Sequence, residues 1–189
     1  MGVLQKKPYL TEQEYLAFEE ASDVKHEYVD GEIYAMAGAS LQHNLITGNL
    51  FFNLRAVRRK GGKCRIFSSD MKCRIEDGIF YYYPDVILDC GTIDSNAHYT
   101  QQPCLIAEVL SKSTARTDRT EKWLTYQKIP SLRYYLLADS LQKKVDYFER
   151  NELGEWFYAE LEEGETLTIE CDDYHAVLTL ADIYEDVIF

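Results

Sequence analysis

Two carboxylates stand where a carboxylate is costly. Glu108 lies inside the apolar run Leu105-Ile106-Ala107-Glu108-Val109-Leu110, and Asp85 follows Pro84 in Tyr81-Tyr82-Tyr83-Pro84-Asp85-Val86-Ile87-Leu88. An unpaired charge in such a run is strongly disfavoured. Two partly buried anions that converge repel each other, so something positive must compensate them. Mg²⁺ suits the task, because it prefers carboxylate oxygens and keeps waters that can do chemistry. The alternative is that each is a strand-end acid paired with an Arg or Lys. Lys122 adds weight to the metal reading, since it falls at the start of the helix that follows the strand of Glu108. From there it can lean over the same strand ends. A metal-held water needs such a group to orient it and to stabilise a pentavalent phosphate. As an exposed first-turn lysine it would do neither.

These residues need elements to hold them. Thr11 and Glu14 form a capping box that opens a helix to Ala21. Asp30-Gly31 joins two strand-like runs, 26–29 and 32–36, as a type I′ hairpin turn. Ser40 caps a long helix to about Lys60, with Leu45, Ile46, Leu50, Leu54 and Val57 at helical spacing and Gly61-Gly62 as its stop. Strands follow near 64–67, 71–75, 79–82 and 86–89, with Asp77-Gly78 as a second hairpin turn. Residues 91–102 read as a loop and 105–110 as a buried central strand. A helix over 118–128, with Asp118 and Glu121 in capping-box spacing, ends at Pro130, and 134–138 is a further strand. Runs at 143–149, 155–160 and 167–170 resemble an antiparallel meander, and 178–184 a closing short helix. The order from 42 to 139 is helix, three strands, helix, strand. The strand–helix–strand step from 104 to 139 implies a crossover between parallel strands. The expectation is an α/β fold, or α+β if the hairpins dominate.

A chain of 189 residues fits a single domain, and 46% apolar residues with only 4 prolines exclude a disordered or collagenous chain. No apolar run is long enough to span a bilayer. Met1 to Gln13 has two lysines with no apolar run after them, and Gly2 is followed by Lys6 where a myristoylation signal wants Ser or Thr. The expectation is a soluble cytoplasmic protein with no membrane partner. Five cysteines, an odd number without a C-x-x-C, argue against disulfides and a thiolate zinc site and for packing as reduced hydrophobes. The net charge of −12 is unevenly placed: residues after Arg150 hold 12 acids and no Lys or Arg, which leaves residues 1–150 with 20 of each sign. Within that neutral part Arg55, Arg58, Arg59, Lys60, Lys63 and Arg65 cluster without an intervening acid. The cluster is either a solvated helix end or a nucleic-acid contact.

Tyr83-Pro84-Asp85, Glu108-Val109-Leu110-Ser111, Thr114 with Asp118 and Lys122, and Tyr126 with Ile129-Pro130 resemble a bacterial family of restriction-endonuclease-like proteins. So do Asp30-Gly31-Glu32-Ile33-Tyr34, Ser40-Leu41-Gln42-His43 and Ser69-Asp70-Met71-Lys72. The likeness runs in order over about residues 8 to 150. That family is similar to a branch of the PD-(D/E)XK nucleases, whose core has the element order found above. The resemblance implies a mixed central sheet flanked by helices, with additional β-hairpins, in one domain over 1–189. The core would span about 42–139 and an acidic β extension 151–189. It also implies that Asp85 and Glu108 bind Mg²⁺ or Mn²⁺. The general pattern departs here at one position, since Leu110 stands where a lysine is expected two residues after the glutamate. Strand alternation would put that lysine beside the metal. Lys122 is the substitute, with Lys112 the rival if the strand ends early. Glu32 matches a third carboxylate position, and His43, one turn into its helix, is either structural or a phosphate or water contact. Asp70 and Lys72 read as a surface pair, and Tyr81 to Tyr83 as sheet core.

The expected activity is metal-dependent hydrolysis of DNA phosphodiester bonds by Asp85, Glu108 and Lys122, assisted by Glu32 and His43. Arg55, Arg58, Arg59 and Lys63 would be backbone contacts, and DNA the partner. A homodimer is carried by the resemblance alone. The competing expectation is a catalytically inactive module that keeps the nuclease fold for binding or assembly.

Overall fold

The computed structural model describes residues 9–92, 94 and 96–189. The expectations for Gly2 and Lys6, and most of that for 1–13, fall outside them. Helix α1 (Glu12–Glu20) begins as its capping box requires, with the Thr11 hydroxyl accepting from the Glu14 amide and the Glu14 carboxylate accepting from the Thr11 amide. Strands β1 (His26–Val29) and β2 (Glu32–Ala35) are joined through Asp30 at φ 43° and Gly31 at φ 88°. Both values are left-handed, as a type I′ turn demands. Ser40 caps α2 (Leu41–Ala56) by accepting from the His43 amide. This helix stops short of Lys60, and Gly61-Gly62 is not its terminator. Arg58 instead turns its guanidinium onto the carbonyls of Gly62 and Cys64 and closes the connection.

Strands β3 (Arg65–Ser68), β4 (Lys72–Ile75), β5 (Phe80–Tyr82) and β6 (Val86–Asp89) match the apolar runs, and the turn at Asp77-Gly78 joins β4 to β5. Within the expected loop, β7 (Tyr99–Thr100) pairs parallel with β4. Strand β8 (Pro103–Leu110) is buried along its whole length. The helical segment after it consists of α3 (Ala115–Thr117), a π-helical turn (Asp118–Lys122) and α4 (Trp123–Tyr126). It starts before Asp118, so no Asp118–Glu121 capping box forms. Strand β9 (Tyr134–Asp139) runs parallel to β8, the expected crossover. Strands β10 (Val145–Arg150) and β11 (Trp156–Leu161) continue antiparallel. The expected meander breaks there. Strand β12 (Leu167–Cys171) pairs with an unforeseen strand, β13 (Tyr174–Leu178), before α5 (Leu180–Ile183).

The central sheet has the order β11-β10-β9-β8-β6-β3, with β8 and β9 its parallel pair. A second sheet runs β2-β1-β5-β4-β7, and β12-β13 is a separate ribbon. Alternation along the central strands gives two apolar faces. Val86, Leu88, Leu105, Ala107 and Leu136 pack against Ile46, Leu50 and Leu54 of α2 and against the ribbon's Ile169 and Leu178. Ile87, Ile106, Leu110, Tyr135 and Leu137 face Tyr126 and, from the second sheet, Cys73 and Tyr82. The fold is thus the mixed α/β one expected. Tyr81 to Tyr83 are buried, as expected for core. Asp70 and Lys72 are not a surface pair: Asp70 pairs with Lys25, and Lys72 is buried against the rings of Tyr15 and Tyr83.

The cysteines overturn their reading. Cys64 is bonded to Cys90 and Cys104 to Cys171, and only Cys73 is a free thiol. The antiparallel register that sets Arg65 opposite Asp89 brings Cys64 and Cys90 face to face, and docking of the ribbon brings Cys171 to β8. Neither proximity exists along the chain. Thiol titration of the unfolded, unreduced protein is expected to find one reactive group. Cys104→Ser with Cys171→Ser should lower stability by ~2–4 kcal/mol in urea unfolding. Five titratable thiols and an unchanged midpoint would refute the pairing.

Candidate active site

Strands β6 and β8 are antiparallel, with Val86 opposite Ala107, so Asp85 arrives beside Glu108. The backbone amide of Val109 donates to Asp85 Oδ2 at 2.8 Å. Glu108 shares the sheet face of Ile106 and Leu110, which the helical segment covers. There Tyr126 Oη donates to Glu108 Oε1 at 2.8 Å, and Lys122 Nζ lies 3.2 Å from the same oxygen. Spacing of four sets Asp118, Lys122 and Tyr126 on one face of the helical segment.

Lys122 is itself surrounded. Its ammonium lies 2.8 Å from Glu27 Oε1 and 3.3 Å from Asp118 Oδ1. The latter approach lacks hydrogen-bond geometry and leaves Asp118 Oδ1 buried without a hydrogen-bond partner. Glu108, Asp118 and Lys122 are all buried. Burial pushes the Glu108 carboxyl well above its usual range; Lys122 opposes that shift, while Asp118, Asp85 and Glu27 reinforce it. Burial likewise raises the Asp118 carboxyl, again against the pull of Lys122. For Lys122, burial works against the charge, but Glu108, Glu27 and Asp118 outweigh it and hold the ammonium firmly protonated.

His43 reaches Asp85 from the first turn of α2, with Nε2 3.3 Å from Oδ2. Burial disfavours its charged form, yet the hydrogen bond and charge of Asp85 prevail and raise its pKa. Four carboxylates therefore surround one ammonium and one imidazole. The excess is negative and its donors are hard oxygens, a set that fits a divalent cation held by Asp85 and Glu108 with water completing the shell. Among the described residues no group of three or more His, Cys, Asp or Glu is placed to hold a metal ion, so the pair would rely on water for the rest of the shell.

Of the residues singled out in the sequence, Glu108 and Lys122 touch, Asp85 is their neighbour, and His43 joins them through Asp85. Lys112 is exposed in the loop after β8. Glu32 sits at the turn end of its hairpin, opposite Val29, exposed and accepting from Tyr34 Oη at 2.8 Å. The hairpin carboxylate that reaches Lys122 is Glu27, which sequence reading missed. Its signal was parity: Glu27 shares a strand face with Val29, which packs against the second apolar cluster. The basic group lies at the other end of α2, about 18 Å along the helix from His43. Arg55 and Arg59 are exposed there, Arg58 caps carbonyls, and Lys63 pairs with Asp172 at 3.0 Å.

Two uncharacterized proteins of Synechocystis sp., slr1290 and sll1609, are each 37% identical to the chain. The first match covers 86% of both chains, the second 90% of this chain and 97% of the relative. A crystal structure titled as that of "a putative nuclease belonging to DUF820" from Anabaena variabilis superposes with a TM-score of 0.75. It covers 95% of this chain and 99% of its own, at 19% identity, a likeness of fold alone. Residues 12–180, which take in Glu27, His43, Asp85, Glu108 and Lys122, match the sequence profile described as "Putative restriction endonuclease", and the chain belongs to that family, Uma2.

Proposed function

We propose that the protein is a metal-dependent endodeoxyribonuclease that hydrolyses DNA phosphodiester bonds. The observation that carries the reading is the approach of Lys122 Nζ to Glu108 Oε1, 3.2 Å, at a strand end shared with Asp85. Asp85 and Glu108 would hold Mg²⁺ or Mn²⁺, which when bound supplies Lewis-acid polarisation of the phosphate and a more acidic water. The remaining work falls to the chain. Lys122, kept cationic by its three carboxylates, stabilises the charge that develops on the phosphate. Glu27 and Asp118 are positioning residues for that ammonium, and Tyr126 fixes the Glu108 rotamer. His43 holds Asp85 and presents an N–H to phosphate or water. In this reading Glu27, rather than Glu32, is the carboxylate that the hairpin contributes. Arg55, Arg58, Arg59 and Lys63 contact flanking backbone, DNA is the substrate, and a homodimer brings two sites to two strands.

A second reading, an inactive module that keeps the fold for binding or assembly, is favoured by Leu110 at the usual lysine position. Metal uptake separates the two. Calorimetry with Mn²⁺ is expected to give a binding isotherm for the wild type that Glu108→Gln weakens at least tenfold. A wild type that takes up no ion would favour the module.

Plasmid cleavage with Mg²⁺ or Mn²⁺ is expected to slow by ~10²-fold or more in Asp85→Ala, Glu108→Ala and Lys122→Ala. Undiminished cutting by all three variants would sink the assignment. Lys122→Ala also strands buried carboxylates and should cost ~3–5 kcal/mol in urea unfolding, so its activity is read under conditions where it remains folded.

A further inference from the structure

The segment that leaves β8, Ser111-Lys112-Ser113-Thr114-Ala115-Arg116, begins three residues beyond Glu108 and runs into the first residues of α3. Its hydroxyls tie the backbone into a fixed shape. The Ser111 Oγ lies 3.0 Å from Ser113 Oγ and 3.1 Å from Thr114 Oγ1, while the Thr114 amide donates back to Ser111 Oγ. Both ends are anchored to the core. Ser140 Oγ donates to the Leu110 carbonyl at 2.6 Å, and Tyr135 Oη donates to that of Asp118 at 2.9 Å. The Thr114 carbonyl also accepts from the Asp118 amide at 3.0 Å, and the Asp118 side chain lies against Lys122. The loop is therefore continuous with the site through its own polar contacts.

Two cations stand on this frame. Lys112 and Arg116 are exposed, and neither has an ion-pair partner among the described residues. Farther along the segment and just beyond it, Arg119 and Lys128 are paired with Asp146 and Glu76. No acid interrupts 111–117. The four carboxylates of the site repel a phosphate, and the exposed arginines at the far end of α2 lie beyond a Debye length of about 8–10 Å. Lys112 and Arg116, four and eight residues beyond Glu108, are the exposed unpaired cations on the segment that leaves its strand.

We propose that the Ser111–Arg116 loop is the clamp for the DNA backbone beside the scissile bond, with Lys112 and Arg116 as ionic phosphate contacts and the exposed Ser113 hydroxyl as a neutral donor. The assignment rests on the nuclease reading, and it makes Lys112 a binding residue in place of a chemical one.

Fluorescence anisotropy with a labelled DNA duplex, in EDTA and over a range of salt, tests it. Lys112→Gln with Arg116→Gln should weaken binding at low salt tenfold or more and flatten the slope of log K against log salt by about 0.9 for each phosphate no longer neutralised. Lys112→Arg with Arg116→Lys should restore both. If the wild type binds with a steep salt dependence that the double Gln variant retains, the clamp is refuted while the nuclease reading stands. If the wild type fails to bind the duplex even at low salt, the clamp is likewise refuted, while plasmid cleavage with Mg²⁺ or Mn²⁺ still judges the nuclease reading.

Discussion

A lysine ammonium buried among three carboxylates organises this molecule. Removing such charges from water costs several kcal/mol apiece, and the cost is tolerable only where partners converge with good geometry. Glu27 comes from the hairpin of the second sheet, Glu108 from the central strand β8, and Asp118 from the π-helical turn that also carries Lys122. Each partner belongs to a different part of the fold. The two sheets and the crossover helix must all be in register before the ammonium is neutralised, so this cluster couples the second sheet to the first. Tyr126 completes it by donating to the same Glu108 oxygen that the lysine faces.

The same cluster is unbalanced in charge. Four carboxylates meet one ammonium and one imidazole, and burial together with the neighbouring carboxylates raises the proton affinity of Glu108 and Asp118 in response. A site of this kind attracts cations and repels polyanions. The proposed metal answers the first tendency, and unpaired basic groups on the adjoining loop answer the second. Proximity matters more than net charge here, because screening confines each exposed charge to its own neighbourhood.

The acidic C-terminal region is built into the body of the protein. Leu167, Ile169 and Cys171 alternate inward on β12, as do Tyr174, Ala176 and Leu178 on β13, and all six join the large core. The Tyr174 hydroxyl donates to the Leu54 carbonyl at the end of α2, and the Asn49 and Asn53 amides reach carbonyls of α5 and the residues after it. The Cys104–Cys171 bond secures the ribbon to β8. The charge excess is spread over largely exposed positions of β11, the ribbon, α5 and the turns between them, and Asp172 at the ribbon's turn already neutralises Lys63.

Local signals were legible in the sequence wherever they act over a few residues. Capping at Thr11 and Ser40, the left-handed turn at Asp30-Gly31 and the apolar central strands all follow from steric and hydrogen-bonding rules internal to each segment. Glu108 and Asp85 were conspicuous for a related reason, being charges embedded in apolar runs. What sequence could not supply was convergence. Glu27 and Lys122 are separated by most of the core, the sulfurs of Cys104 and Cys171 by 67 residues, and β12 chose β13 over β11. Asp118 looked like a helix cap, but the helix begins earlier and leaves Asp118 buried inside the segment. Periodicity reports which face of an element is apolar, but not which other element will cover it. That choice belongs to packing, and packing alone brought Glu27 and Glu108 to one buried lysine.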